Sequence, residues 1–518
     1  HPFHQDGKGQ AHVIDHLGSP EDKNIERHYT LSKYQLPQQW PADVDALSEA
    51  LHDELPPLLA SREDLSALAF ASIDNESTLD MDDALYAEAA EDGAWTLRVA
   101  IADPSALITA DSPLDKEAQQ RANTVYLPGA ALNMLPDSLS YKTFSLCANE
   151  ERPVLLVTLK IEADGAIDNC QFSEAKIKSQ QKLSYTQVGE VLAGNADAGS
   201  DFSPELLASL TTLQDIAKAR FNYRKANALI MSHPDDHELQ LNEQGKIEQI
   251  LRKPHGIAHQ IVEEAMLASN ICAGEFLHAH KAGLFSTHSG FRDDRLDNVK
   301  LILNEALSPN QHDDTTLKSL EGYRQSIRAL NEQAEHAGTL GSLRRMLSPG
   351  ILSAEHKAHL GLGLAHYATI TSPIRRYHDL YNHRAIKQLI KGESVSASNE
   401  ALATHLQSQI GTGRQAKRSM EQWLHHQYIT AKVGQTFSAQ VVLINSQGMG
   451  VRLDDNGIVG FVLLRDGDNK PDFDQQRLKI SLNGQTYQPD QSVHVQVKSV
   501  DVQQKSVQLG LVAQKESE

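Results

Sequence analysis

The sequence predicts an α+β protein of several domains that ends in a small five-stranded β-barrel. Three observations carry this prediction. The chain has 518 residues, and at roughly 100–200 residues per domain two to four domains are expected. Between about residues 65 and 400, strand-like runs and helical periodicities mix without regular alternation, which favours α+β over a doubly wound sheet. From residue 433 onward, apolar and polar positions alternate between glycine-rich turns.

Taken in order, residues 1–45 hold one strand-like run ("AHVID") and then polar, helix-like sequence. They are too short to close a domain, and Pro37 and Pro41 mark an exit into a linker. Residues 46–432 form the main unit. "WTLRVAIADPSALI", "RPVLLVTLKIEADGAI" and "HELQLNEQGKIEQILRK" read as strands. "KPHGIAHQIVEEAMLASNICAGEFLHAHK", "TLKSLEGYRQSIRALNEQAEHAG" and "PIRRYHDLYNHRAIKQLIKGE" have helical periodicity. Residues 433–518 supply five short strands with turns at Gly448 and Gly450, which suits a barrel of the OB type.

Composition narrows the function classes. With 40% hydrophobic and 22% charged residues, the chain is neither disordered, collagenous nor a coiled coil throughout. No run of about 18 apolar residues is present, so no membrane span is expected. Cys147, Cys170 and Cys272 lie far apart without a C-x-x-C. That excludes a disulfide scaffold and a cysteine zinc site, and fits a reducing, cytoplasmic location. The first residue is His1 and no signal peptide follows, so the sequence reads as part of a longer chain. The net charge is −20, yet residues 371–432 carry nine basic and four acidic side chains. This stretch is either a solvated basic helix or a contact for an anionic polymer.

The sharpest motif is "ASIDNESTLDMDDALYA", which places Asp74, Asp80, Asp82 and Asp83 just after a strand-like run. Carboxylates this close repel one another unless cations neutralise them. Hard oxygen ligands suit Mg²⁺, with Mn²⁺ also possible. Two such ions about 3.5–4 Å apart can activate water and stabilise a leaving oxygen in phosphodiester hydrolysis. An EF-hand lacks its sixth-position Gly and twelfth-position Glu here; the plain alternative is a solvated acidic loop. A second motif, "TSPIRRYHDLYNHR", predicts a helix entry with Ser372 as N-cap and Pro373 at the first position. Arg375 would then lie in the first turn, poised to grip a phosphate. His255, His259 and Glu263 share a spacing of four that resembles a metal-binding helix face, although H-E-x-x-H is missing.

Together these motifs have a precedent. In order, D-x5-D-x-D-D, "RANTVYLPGAALNMLPDSLS", "SLCANEERPVL", "IVEEAMLASN" and "GLGLAHYATITSPIRRYHDLYNHR" resemble the RNB catalytic domain of the ribonuclease II family. The C-terminal strands resemble an S1 RNA-binding domain, and residues 1–45 the last part of a cold-shock-type OB domain, whose earlier strands are not in the sequence. "STHSGF" around His288 and the acidic end "QKESE" look more like bacterial ribonuclease II than ribonuclease R.

The resemblance implies a processive 3′-to-5′ exoribonuclease that hydrolyses single-stranded RNA to 5′-mononucleotides with Mg²⁺, and a monomer is expected. Asp74 and Asp83 match the holders of the first ion, and Asp80 and Asp82 complete the site. Asp80, Asp82 and Arg375 would be catalytic, with Arg375 steadying the scissile phosphate. Tyr126 matches an aromatic that packs on the 3′-terminal nucleotide, Tyr185 one farther up the RNA channel, and Glu263 a residue that can touch ribose hydroxyls. Arg376 is a further candidate RNA contact. The family has no metal on the His255 face. Two positions depart from the pattern: Met231 falls where bacterial ribonuclease II has a clamping Phe, and Lys417 where it has a substrate-contacting Glu. In the barrel, Phe437 and Phe461 are either base-stacking aromatics or core residues. Competing readings are a catalytically silent RNA-binding relative, which is expected to have lost an Asp, and an acidic Ca²⁺-binding protein, which the Arg375 motif opposes.

Overall fold

Seven strands form a central sheet: β1 (Glu63–Asp64), β2 (Ala71–Asp74), β3 (Asp83–Ala89), β4 (Trp95–Ala102), β5 (Glu151–Ile161), β6 (Ile167–Lys178) and β7 (Gln181–Ser184). Their order across the sheet is β1-β6-β5-β4-β3-β2-β7. The inner neighbours run antiparallel, while β1 on β6 and β7 on β2 are parallel. This is a computed structural model; it describes residues 12–13, 16–90, 92–195, 197–230, 235–307, 312–332, 337–395, 399–465, 467, 469–502 and 504–512.

The inner strands read as nearly continuous apolar runs because both faces of the sheet are covered. Leu85, Val99 and Val157 face helices α1 (Pro204–Asn227) and α2 (Ile257–Ala279). Ala84, Ala100 and Leu156 face the other way, into a core shared with Tyr377 and Leu380 of α3 (Tyr377–Ile390) and Leu402 and Leu406 of α4 (Glu400–Thr430). Local signals set the helix starts: Ser203 accepts a bond from Leu206 N ahead of Pro204, and Asn399 caps α4. No described helix is long and apolar enough to cross a membrane.

Near the N-terminus, the expected linker is instead helical. Helix Ala42–Asp53 runs across residue 45 with Pro41 as its N-cap residue, and with helix Leu55–Ala60 it sends Val44, Leu51 and Leu55 into the second core. Helix Ile25–Lys33 packs on α4 through Leu31, Met420 and Leu424. The strand-like run at 11–15 lies mostly outside the described residues.

The C-terminal expectation of a five-stranded barrel holds. Strands β8 (Thr436–Asn445), β9 (Gly448–Leu453), β10 (Val459–Leu463), β11 (Ser492–Asp501) and β12 (Ser506–Leu511) close in the order β8-β9-β10-β12-β11. Gly448 is needed at its turn: a Cβ there would meet Val462 O at 2.1 Å.

Candidate active site

Sheet topology assembles the acidic cluster. β2 and β3 are antiparallel neighbours, so Asp74 at the end of β2 and Asp83 at the start of β3 meet at one sheet edge, with Asp80 and Asp82 on the connecting loop. Asp80 and Asp82 are buried; Asp74 and Asp83 are half-buried. All four line one cleft of about 490 Å³ with Tyr126, Tyr141 and Arg375. That volume lies in the range of small-ligand sites, roughly 300–1,000 Å³.

Two of the carboxylates are held by residues distant in the chain. Asp82 accepts from Ile374 N and from Arg375 Nε, each at 2.9 Å. Arg375 Nη2 also donates to Ser372 Oγ at 2.9 Å. The Tyr126 hydroxyl donates to Asp80 at 2.5 Å. Arg375 does not sit in a helical first turn, as its sequence predicts. Residues 372–376 form a turn, and α3 begins only at Tyr377. The cause is tertiary: Arg376 has extended backbone, pairs with Asn123 as an antiparallel bridge, and Arg375 O accepts from Thr124 N at 2.9 Å. The Ser372–Pro373 signal is overridden by this cross-chain pairing, so Arg375 is aimed by the turn and by Asp82 rather than by a helix terminus.

The cleft is short of positive charge. Burial pushes the Asp82 carboxyl up to about 7; the Asp80 charge adds to this, while Arg375 and the Ile374 N–H oppose it. Burial also pushes Asp83 up to about 8, helped by the charges of Asp82 and Asp74. Burial lowers the Arg375 guanidinium, but Asp82 and its neighbours outweigh that and leave it above its ordinary value. Arg375 is the one cation among the described residues that line the cleft. Four oxygen donors with one guanidinium fit a divalent cation, which would relieve the repulsion.

A pH dependence follows. A buried carboxyl with a raised pKa contributes stability below its unfolded value, about 3.9, and that contribution is lost as pH rises through about 7 to 8. A bound cation offsets the loss only where the carboxyls are ionised. The rise in Tm on adding Mg²⁺ should therefore be larger at pH 9 than at pH 6, and Asp83→Asn should flatten the difference. Equal Mg²⁺ shifts at both pH values would count against cation binding by these carboxyls.

The other expected site residues are placed as follows. Tyr185 follows Ser184, which pairs with Asp74, and its ring stacks on His259 at 4.0 Å. Burial raises the Tyr185 hydroxyl, with Asp74 and Asp83 adding. Glu263 accepts from Arg224 Nη2 at 3.2 Å beside the more buried Arg224–Glu264 pair. Arg376 donates to Asp379 at 2.6 Å and to Thr371 Oγ1 at 3.4 Å. Lys417 on α4 is half-exposed near Glu421 at 3.7 Å. Phe437 is only 9% exposed and belongs to the barrel core, so its stacking role is corrected to packing; the inward parity of β8 claims it. Phe461 is half-buried, on the opposite side of β10 from the core residue Val462. Met231 lies outside the described residues.

His255, His259 and Glu263 do not form a metal face. His255 Nε2 lies 3.6 Å from Glu263 Oε2, but His259 Nδ1 accepts from Gly256 N with its ring against Tyr185, so the three do not bring ligand atoms together as a group. Two site residues went unread in the sequence. Tyr141 lines the acidic cleft, and its signal was its place in the "DSLSYKT" run. Lys182 pins the acidic loop by donating to Glu76 O at 2.8 Å and to Thr78 O; nothing in the sequence marks it.

Comparison with known proteins gives the family. The RNB domain family matches residues 62–392 and the S1 RNA binding domain family residues 430–511. The chain is similar to Exoribonuclease 2 of Klebsiella pneumoniae, 38% identical over 89% of this chain and 71% of that protein. It is similar to Exoribonuclease 2 of Actinobacillus pleuropneumoniae, 34% identical over 98% of this chain and 79% of that one. Its fold matches Mycoplasma genitalium RNase R, solved in complex with ribose-methylated single-stranded RNA, with a TM-score of 0.81 at 23% identity over 96% of this chain and 79% of that one. With the carboxylate cluster carried by its RNB domain and an S1 barrel following it, the chain belongs to the ribonuclease II family of exoribonucleases.

Proposed function

We propose that this chain degrades single-stranded RNA processively from the 3′ end, releasing 5′-mononucleotides, with Mg²⁺ held by Asp74, Asp80, Asp82 and Asp83. The observation that carries this reading is the Arg375–Asp82 pair in the acidic cleft, where a cation donor for phosphate stands among four carboxylates. Bound Mg²⁺ supplies water activation and neutralises the leaving oxygen. Arg375, turned from Asp82 toward a phosphate oxygen, steadies charge as it builds. Tyr126 and Arg375 also line a second cleft of about 450 Å³ with Asn123, Gln407 and Arg414. Their shared position supports a path along which the strand reaches the acidic cleft, Tyr126 packing on the last nucleotide and Tyr185 farther along. Glu263, Arg376, Lys417, Met231 and Phe461 are proposed RNA contacts, and the proposed division is a main unit up to 432 and a barrel unit over 433–518, since a boundary at residue 45 would cut helix Ala42–Asp53. A monomer acting in the cytoplasm is part of the same proposal.

The test is a pair of end-labelled ladders with Mg²⁺ and with EDTA. A 5′-labelled RNA should pass from full length to a short limit product with few intermediates while a 3′-labelled one yields labelled mononucleotide at once, and EDTA should stop both. Binding without any product would favour the silent-relative reading. A stable hairpin should halt digestion several nucleotides before the duplex, because a cleft-lined path admits one strand. Full digestion of a GC-rich hairpin without a 3′ overhang would sink the single-strand path.

A further inference from the structure

Outside the acidic cleft, three imidazoles from two distant segments converge. His278 lies in the last turn of α2, and His356 and His366 flank the loop that leads to Thr371–Arg376. One ring nitrogen from each lies within 4.8 Å of the others. The rings lean on one another at 28–33°: His278 on His356 at 3.9 Å, His356 on His366 at 4.6 Å and His278 on His366 at 4.8 Å between centroids. Phe285 closes one side, edge-on to His356 at 5.2 Å.

We propose that His278, His356 and His366 form a transition-metal site, of the imidazole-preferring class with Zn²⁺ foremost, that staples α2 to the loop ahead of Arg375. Three nitrogen ligands with a fourth, solvent-facing position are a recurring zinc arrangement. Around one tetrahedral ion with bonds of about 2.0–2.1 Å, ligand nitrogens stand roughly 3.3 Å apart. The ligand nitrogens therefore need to close by about 1.5 Å at most from their 4.8 Å limit, and the leaning rings need to turn so that their in-plane lone pairs converge; a rotamer change of the exposed His278 can supply much of this.

The proton inventory is consistent. His356 Nε2 lies 3.1 Å from Ala365 O, which can only accept, and 2.8 Å from His366 Nδ1. Nε2 therefore carries the proton and His366 Nδ1 presents a lone pair. On metal entry, His356 keeps one proton by carrying it on Nδ1 and frees Nε2, so the ring stays neutral. Burial holds both His356 and His366 below the ordinary imidazole range, and their neighbouring imidazoles add to this. The two segments already touch: one turn before His278, a Cβ on Gly274 would meet Tyr367 N at 2.6 Å.

Zinc content after dialysis of the full chain against ZnCl₂ with excess Mg²⁺ tests the site. Wild type and Asp82→Asn should each retain one zinc per chain, which separates this site from the acidic cleft. His278→Asn and His356→Asn should lose it, with zinc affinity falling by more than about 100-fold, since even changes behind a ligand cost 10–100-fold. Zinc should also raise the Tm of wild type and leave that of His278→Asn unmoved. Because His278 is exposed, its variant should melt like wild type in metal-free buffer, which keeps the test clean if His356→Asn folds poorly. Zinc retained by His278→Asn, or none bound by wild type, would overturn the assignment.

Discussion

Asp82→Asn is expected to cut turnover on single-stranded RNA by at least about a thousandfold, roughly 4 kcal/mol of barrier, while RNA binding persists. The asparagine removes a charge that a cation needs. It also replaces one of the two oxygens that accept from Ile374 N and Arg375 Nε with an N–H group facing a donor. Folding should survive, because a carboxyl pushed up to about 7 by burial gains little from being charged. Tm should hold or rise. Single-turnover hydrolysis, filter binding and a melt on the same preparation decide it. Hydrolysis near the wild-type rate would remove Asp82 from the chemistry.

Arg375→Ala should cost about 10²–10³ in turnover, the scale seen when one preorganised donor to a developing charge is lost. Arg375→Lys should not restore it. One ammonium on a flexible stem cannot donate to Asp82 and Ser372 together as the guanidinium does at 2.9 Å each. Loss of the cation should drive the Asp82 carboxyl higher still. The stability penalty of Arg375→Ala should therefore be greater at pH 8.5 than at pH 6, since a raised carboxyl loses its favourable contribution as pH climbs. A lysine variant with wild-type turnover would show that charge alone, not the fork, is required.

Much of this was legible in the sequence, and the reasons differ by feature. The acidic cluster was readable because its carboxylates sit within one short loop between neighbouring strands, so sequence proximity equals spatial proximity. The barrel was readable because its strands alternate with period two, yet that period cannot say which parity faces inward, and Phe437 fell to the core. The turn at Arg375 was hidden because its cause, the Asn123 bridge, is carried by a distant segment. The first turn of helix Ala42–Asp53 falls in the expected linker because Pro41 signals a break as readily as a helix start. The Arg224 partner of Glu263 and the imidazole cluster were invisible for the same reason: their members come from separate stretches.

The Asp82–Ile374 hydrogen bond joins residues 292 apart in the chain. During synthesis, at roughly 5–20 residues per second, the acidic loop leaves the ribosome some 15–60 s before its partner turn. Until then the nascent carboxylates have neither Arg375 nor the Asn123–Arg376 pairing to fix them. Until residues 374–376 have emerged, the acidic loop therefore stands without the turn that aims Arg375 and completes the cleft.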